Sequence, residues 1–215
     1  MPLEVPRVRS TSTRASLPRP RRFHHGSLRQ ALLDAALAAP DIEGLSLNRL
    51  AAGAGVTPAA IYRHFSSRED LLGEVARIGF DRLEARFAEV FDIDRPPRNA
   101  IDARSRIAGL AQAYLRFADD EPALWRLLFG SQAAAYRSTA EPLVRPNSYA
   151  YLPAALQGLH RCGVVARAPD ERDALFAWSA IHGVAMLRAG RVPAALGPLS
   201  GMADDVADRV VRSLG

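Results

Sequence analysis

The chain contains no lysine; all 28 of its basic side chains are arginine, a bias that says little about mechanism. It has one cysteine, Cys162, which excludes an intrachain disulfide framework and fits a reducing compartment. No run approaches the roughly 18 apolar residues of a membrane helix. The basic N-terminus has no apolar stretch behind it, so no secretory signal is read. A cytoplasmic location with no membrane partner is therefore expected. No useful stretch alternates apolar and polar residues as a strand does, and no internal repeat appears. Five scattered histidines and one cysteine give no metal-ligand spacing. Gly53-Ala54-Gly55-Val56-Thr57-Pro58 begins like a dinucleotide fingerprint, but it lacks the last glycine and follows a helix rather than a strand. Gly197-Pro198-Leu199-Ser200-Gly201 is not a nucleophile elbow. No catalytic residue, metal or cofactor is expected, and the chain is not expected to be an enzyme.

What is present is an ordinary globular balance: 215 residues, 48 % hydrophobic and 24 % charged, enough for two modest domains or one large one. The charge is unevenly placed. Residues 1–22 carry six arginines against Glu4, a net of +5 that equals the +5 of the whole chain. The remainder is therefore neutral overall. Residues 1–22, rich in Pro, Ser, Thr and Arg without periodicity, read as a disordered basic arm. Such an arm either tracks a minor groove, as homeodomain arms do, or is a solvated leader or the product of a misassigned start codon.

The stretch Ser46–Leu72 is the most organised in the chain. Ser46 is a good N-cap, and Leu47, Leu50 and Ala51 follow at helical spacing. Gly53 and Gly55 interrupt, and Gly55 suits a positive φ at a tight turn. Thr57 before Pro58 restarts a helix with a capping hydroxyl and a proline where no N–H is missed. Ser66 and Glu69 have capping-box spacing for a third start. Helix, glycine turn, helix is the helix-turn-helix pattern. At about 100° per residue, Ile61 and Phe65 share the inward side of the helix Pro58–Phe65. Ala59 and Arg63 point the other way, with Tyr62 and His64 on the shoulders. Small residues permit close approach to a major groove, an arginine reaches base edges, and polar rings reach phosphates.

This segment resembles the DNA-binding domain of the TetR family of transcriptional regulators. The matching residues are Ala51 to Thr57, Tyr62-Arg63-His64-Phe65, and Arg68-Glu69 before Leu71-Leu72. Arg68 stands where the family usually has lysine. The resemblance and the helical wheel together assign phosphate contacts to Ser46, Thr57, Tyr62, His64 and Arg68. Groove-facing roles go to Asn48, Ala59, Ala60 and Arg63, of which Arg63 offers the one strong base readout.

The flanking chain reads as helices throughout. Ser27 and Gln30 form a second capping box, and Leu28, Leu32, Ala35, Ala36 and Ala39 form a face that Pro40 ends. A long helix is expected from Ser66 to about Val90, another from Ala100, and a short one over Pro122–Phe129. Gly130–Ala140 should start helical, and Glu141–Ser148 is a linker. Later helices are expected over Tyr149–Arg161, from Asp170 or Glu171 to Arg188, and from Met202 after a Gly- and Pro-rich loop. The fold class is all-α: residues 23–72 form a helix-turn-helix head, and residues 73–215 a helical-bundle ligand-binding and dimerisation domain.

Trp178-Ser179-Ala180-Ile181-His182-Gly183 resembles the Trp-His-Gly motif of one C-terminal subclass of TetR-like regulators, and Tyr114–Phe117 and Pro122–Phe129 are similar to it as well. The resemblance implies a small-molecule pocket and a homodimer built from the last two helices. Candidate pocket residues are Tyr114, Phe117, Trp125, Phe129, Trp178, His182 and Met186, although aromatics at helical spacing more often form plain core. No Lys/Arg cluster falls among them, which points to a neutral or weakly polar effector. The expected function is a ligand-responsive repressor released from palindromic double-stranded operator DNA by a small apolar effector. The alternative is a helical ligand-binding protein whose head contacts another protein.

Overall fold

The computed structural model describes residues 25–131, 133, 148–190 and 201–215. The basic arm, Phe23, His24, most of the Gly130–Ala140 stretch, residues 141–147 of the Glu141–Ser148 linker and residues 191–200 of the Gly- and Pro-rich loop lie outside them. The described residues are all helical, with no strand among them. The helices are α1 (His25–Leu37), α2 (Leu47–Gly53), α3 (Pro58–Ile61), α4 (Arg68–Ala88), α5 (Ala100–Asp120), α6 (Pro122–Phe129), α7 (Ser148–Arg161), α8 (Glu171–Ala189) and α9 (Met202–Ser213).

Local chemistry sets most of these boundaries. Gly55 adopts φ 69°, and the Gly55 and Val56 amides return to the carbonyls of Ala52 and Ala51, which closes α2. Asn99 caps α5 by accepting from the Asp102 amide. Asp170 and Asp173 form a reciprocal capping box on α8.

Three local expectations need correction. The cap of α4 is Ser67, not Ser66: its hydroxyl accepts from the Asp70 amide at 3.0 Å, and the Asp70 carboxylate reaches back to the Ser66 amide at 2.8 Å. The pairing is shifted one residue: with Ser67 as the cap, Asp70 rather than Glu69 stands three residues on. Helix α1 begins at His25, so Ser27 lies inside it, and Gln30 instead donates to Asp34 at 2.8 Å. Its inward face uses Leu33, while Ala35 points to solvent.

Helices α1 to α3 pack on the start of α4. Ile61, Phe65, Leu32 and Leu71 are fully buried there, each worth about 1.5–3 kcal/mol of transfer energy. Helix α4 runs unbroken past residue 72 into the body, so head and body share one continuous core. In the body α5 is central, with α4, α6, α7, α8 and α9 around it. Ion pairs brace the periphery: Arg86 to Asp120 at 2.7 Å, Arg82 to Glu121 at 2.5 Å and Arg188 to Asp119 at 3.0 Å.

Candidate functional site

Two sites follow from this arrangement, a face on the head and a cavity in the body. On the face, α3 is a single turn, Pro58–Ile61, continued by the turn Tyr62–His64. The His64 and Phe65 amides both return to the Ile61 carbonyl, at 2.9 and 3.0 Å, so the helical course tightens rather than ending. Ile61 and Phe65 are fully buried; Ala59 and Arg63 are exposed, Tyr62 is 53 % exposed, and Ala60 and His64 are half-buried. Ser46 and Thr57 hold the N-cap positions of α2 and α3, yet neither hydroxyl makes a side-chain cap bond. Both are exposed, as is Asn48. Arg29 of α1 lies over the Phe65 ring, 5.2 Å from its centroid, and pairs with Glu74 at 3.1 Å, so it ties the end of this turn to α1 and α4.

Arg68 departs from its expected role. Its Nε donates to the Leu45 carbonyl at 2.8 Å and an Nη donates to the Glu43 carbonyl. The guanidinium fork is spent clamping the α1–α2 loop, its fixed planar donors each meeting one carbonyl. A phosphate contact through Arg68 is not supported by this geometry. Arg49, not expected from the sequence, is exposed on α2 beside Asn48. The spacing of buried Leu47, Leu50 and Ala51 was the available signal, because it turns residues 48 and 49 outward.

The cavity, of about 480 Å³, lies among α4 to α9. Phe80, Leu83 and Phe87 of α4 face Ile107, Leu110 and Ala111 of α5 across it. Helices α7, α8 and α9 contribute Leu152, Ile181 and Val210 among others. Of the seven expected pocket residues, Tyr114, Phe129 and Trp178 line it. Trp125 and Phe117 are buried core behind the lining, Phe117 beneath the guanidinium of Arg86 at 5.6 Å. Met186 is 49 % exposed and faces outward, because the inward face of α8 runs through Ala174, Ala177, Ile181 and Val184.

His182 stands behind the wall in a closed polar chain. Trp125 Nε1 donates to the Tyr114 hydroxyl at 3.1 Å, and that oxygen lies 2.8 Å from His182 Nδ1. One indole and the imidazole thus engage the Tyr114 hydroxyl from two sides. Burial holds the His182 pKa below its ordinary value and pushes the Tyr114 phenol up. Trp178 stacks on His182 with centroids 5.0 Å apart, and Phe129 meets His182 at 5.7 Å.

The cavity is wired to the head through the end of α6. Arg126 donates to the Pro40 carbonyl at 3.4 Å. A Cβ on Gly130 would lie 3.2 Å from Glu43 Oε1, a buried oxygen with no hydrogen-bond partner among the described residues. Phe129, between them in sequence, lines the cavity.

Residues 32–75 match the model of bacterial regulatory proteins of the tetR family, and residues 107–214 match the tetracyclin repressor-like C-terminal domain. The HTH-type transcriptional regulators Mb1846 of Mycobacterium bovis and Rv1816 of Mycobacterium tuberculosis are each 32 % identical over 110 residues. The match takes in 51 % of this chain and 43 % of theirs, so the chain spans less than half the length of these curated relatives. A protein of unknown function from Rhodococcus sp. RHA1 is similar in structure, with TM-score 0.66 and 31 % identity over 89 % of this chain and 97 % of that one. A putative TetR-family regulator from Rhodococcus sp. has TM-score 0.62 at 22 % identity, covering 87 % and 98 %, a likeness of fold.

Proposed function

The chain belongs to the TetR family of transcriptional regulators, and from that premise we propose that it is a dimeric repressor released from operator DNA by a small apolar molecule. The observation that carries this reading is the turn Pro58–His64. It is anchored by two fully buried residues and presents Ala59, Tyr62 and Arg63 to solvent. Small Ala59 and Ala60 let the backbone approach base edges. Arg63 supplies a fork suited to guanine O6 and N7. Ser46, Thr57, Tyr62 and His64 serve as phosphate contacts, with Asn48 at the groove edge and Arg49 joining them.

Two such heads need a two-fold dimer, and a two-fold dimer reads a roughly palindromic site. Helix α8 supports dimerisation: Phe176, Met186 and Leu187 are exposed apolar residues, 52, 49 and 40 % accessible, on a helix whose opposite face is buried. With α9 it forms the interface. The effector occupies the cavity and releases DNA only to the extent that it prefers the head spacing that does not fit the operator.

The test is selection of bound DNA from random sequence, followed by a gel shift on the selected site. The expected result is a palindromic site bound by a dimer, with binding lost in Arg63→Ala. Selection that enriches nothing, or an enriched site that Arg63→Ala and Tyr62→Phe bind unchanged, removes the reading.

A further inference from the structure

The polar inventory of the cavity narrows what it can hold. No Asp, Glu, Arg or His belongs to its described lining. The arginines buried or half-buried on the surrounding helices are committed elsewhere. Arg86 holds Asp120 and Glu121, Arg188 holds Asp119, and Arg106 donates to the carbonyls of Arg95 and Pro96 at 2.7 and 3.2 Å. Arg104, Arg116 and Arg172 are exposed. A carboxylate or ammonium placed in the cavity would lose its hydration and find no counter-charge among the described residues, which disfavours the ionised form.

The Tyr114 hydroxyl in the wall is also occupied. The Tyr114 hydroxyl accepts from Trp125 and is hydrogen-bonded to His182 Nδ1, so it meets a ligand as an aromatic ring rather than as a hydrogen-bonding group. The other hydroxyls of the described lining belong to Ser148 and Tyr149, adjacent at the start of α7, and Tyr149 is 45 % exposed. The exposed position of Tyr149 places that end toward solvent.

We infer that the cavity takes an uncharged, hydrocarbon-rich molecule whose apolar part lies against α4, α5 and α9 and whose single polar group lies beside Ser148 and Tyr149, and that it rejects the carboxylate and ammonium of the same skeleton. This rests on reading the cavity as the effector site, and it adds the charge and orientation of the effector. The full-length protein is titrated with decan-1-ol, decanoate and decylammonium, followed by quenching of Trp178 and Trp125 fluorescence and by calorimetry. At pH 8 the alcohol binds at least about 100-fold more tightly than either ion. Decanoate gains about tenfold per unit as pH falls from 8 to 6, because only its neutral acid enters, while the alcohol changes little. Ala111→Phe and Ala177→Leu, which fill the cavity, each weaken the alcohol at least tenfold with helical content retained; loss of alcohol binding in either folded variant suffices. Ser148→Ala weakens the alcohol several-fold.

Equal binding of decanoate and decan-1-ol, a decanoate affinity independent of pH, or no binding by any of the three overturns the inference. The regulatory reading is judged separately, by whether the bound alcohol alters DNA affinity. Tight alcohol binding with unchanged DNA affinity leaves the ligand class standing and removes the alcohol-released repressor.

Discussion

At the scale of single residues, two arginines five positions apart play opposite parts. Arg63 is exposed and Arg68 is locked onto the Leu45 and Glu43 carbonyls. Arg63→Ala should leave the melting temperature within experimental error, since exposed substitutions cost under about 0.5 kcal/mol. It should weaken operator binding by about 1–3 kcal/mol, roughly five- to 150-fold, in an anisotropy titration. Arg68→Ala should do the reverse in order: stability falls by about 1.5–3 kcal/mol as a charge-assisted bond is lost, and DNA affinity follows only through the loosened head. A melting temperature unchanged in Arg68→Ala would show that the clamp does not hold the loop. His182 gives a pH signature. Its folded pKa is depressed by burial, so the unfolded chain binds the proton more readily. The stability this neutral imidazole confers is complete above the ordinary histidine range and declines as pH falls through about 6.5 toward the folded value. Comparing melting temperature against pH for the native chain and His182→Asn isolates this part. Parallel curves would rule it out.

At the scale of elements, helix positions were legible because caps and prolines act locally. Pro122–Phe129 appears as α6 with the same ends, and Asn99, Asp170 and Gly55 mark their boundaries in the sequence itself. The α4 cap was misplaced by one residue because Ser66-Ser67-Arg68-Glu69-Asp70 offers two overlapping pairings, and only backbone geometry chooses Ser67 with Asp70. The long helix that joins head to body was legible as α4, but the second joint, at the end of α6, was not, because it depends on Gly130 lying beside Glu43, far away in sequence. That joint makes a prediction. The last turn of α6 touches the cavity through Phe129 and the loop before α2 through Arg126 and Gly130. Replacing both Arg126 and Glu43 with alanine should leave DNA binding without effector intact. It should also cut the effector's ability to release DNA from the 5- to 150-fold typical of allosteric coupling to under about threefold. Release that persists in the double variant would move the coupling to α4 alone.

The cavity was legible only in part, and the reason lies at the scale of the whole molecule. Its wall is drawn from six helices, and most of it is Leu, Ile, Val and Ala, indistinguishable in sequence from ordinary core. Aromatic residues marked Tyr114, Phe129 and Trp178, but the same rule also picked Phe117, which is core, and Met186, which faces out. Charge is the second whole-molecule property. Residues 23–72 carry Arg29, Arg49, Arg63 and Arg68 against Asp34, Asp41, Glu43, Glu69 and Asp70, a net of −1. With Arg29 on Glu74 and Arg68 on the loop carbonyls, Arg49 and Arg63 are the exposed arginines this face brings to a polyanion. A head of net −1 attracts DNA weakly at long range, whereas residues 1–22 bring +5 to each protomer. Removing residues 1–22 should therefore reduce operator affinity at low salt at least tenfold. It should also flatten the plot of log affinity against log salt, by about 0.9 for every arginine that neutralises a phosphate. With six arginines in each arm, a loss of two or more units of slope per protomer is expected if the arm lies on the duplex. A truncated protein with the affinity and salt slope of the full chain would place the whole electrostatic attraction on Arg49, Arg63 and the helix N-termini, and would leave the arm a solvated leader.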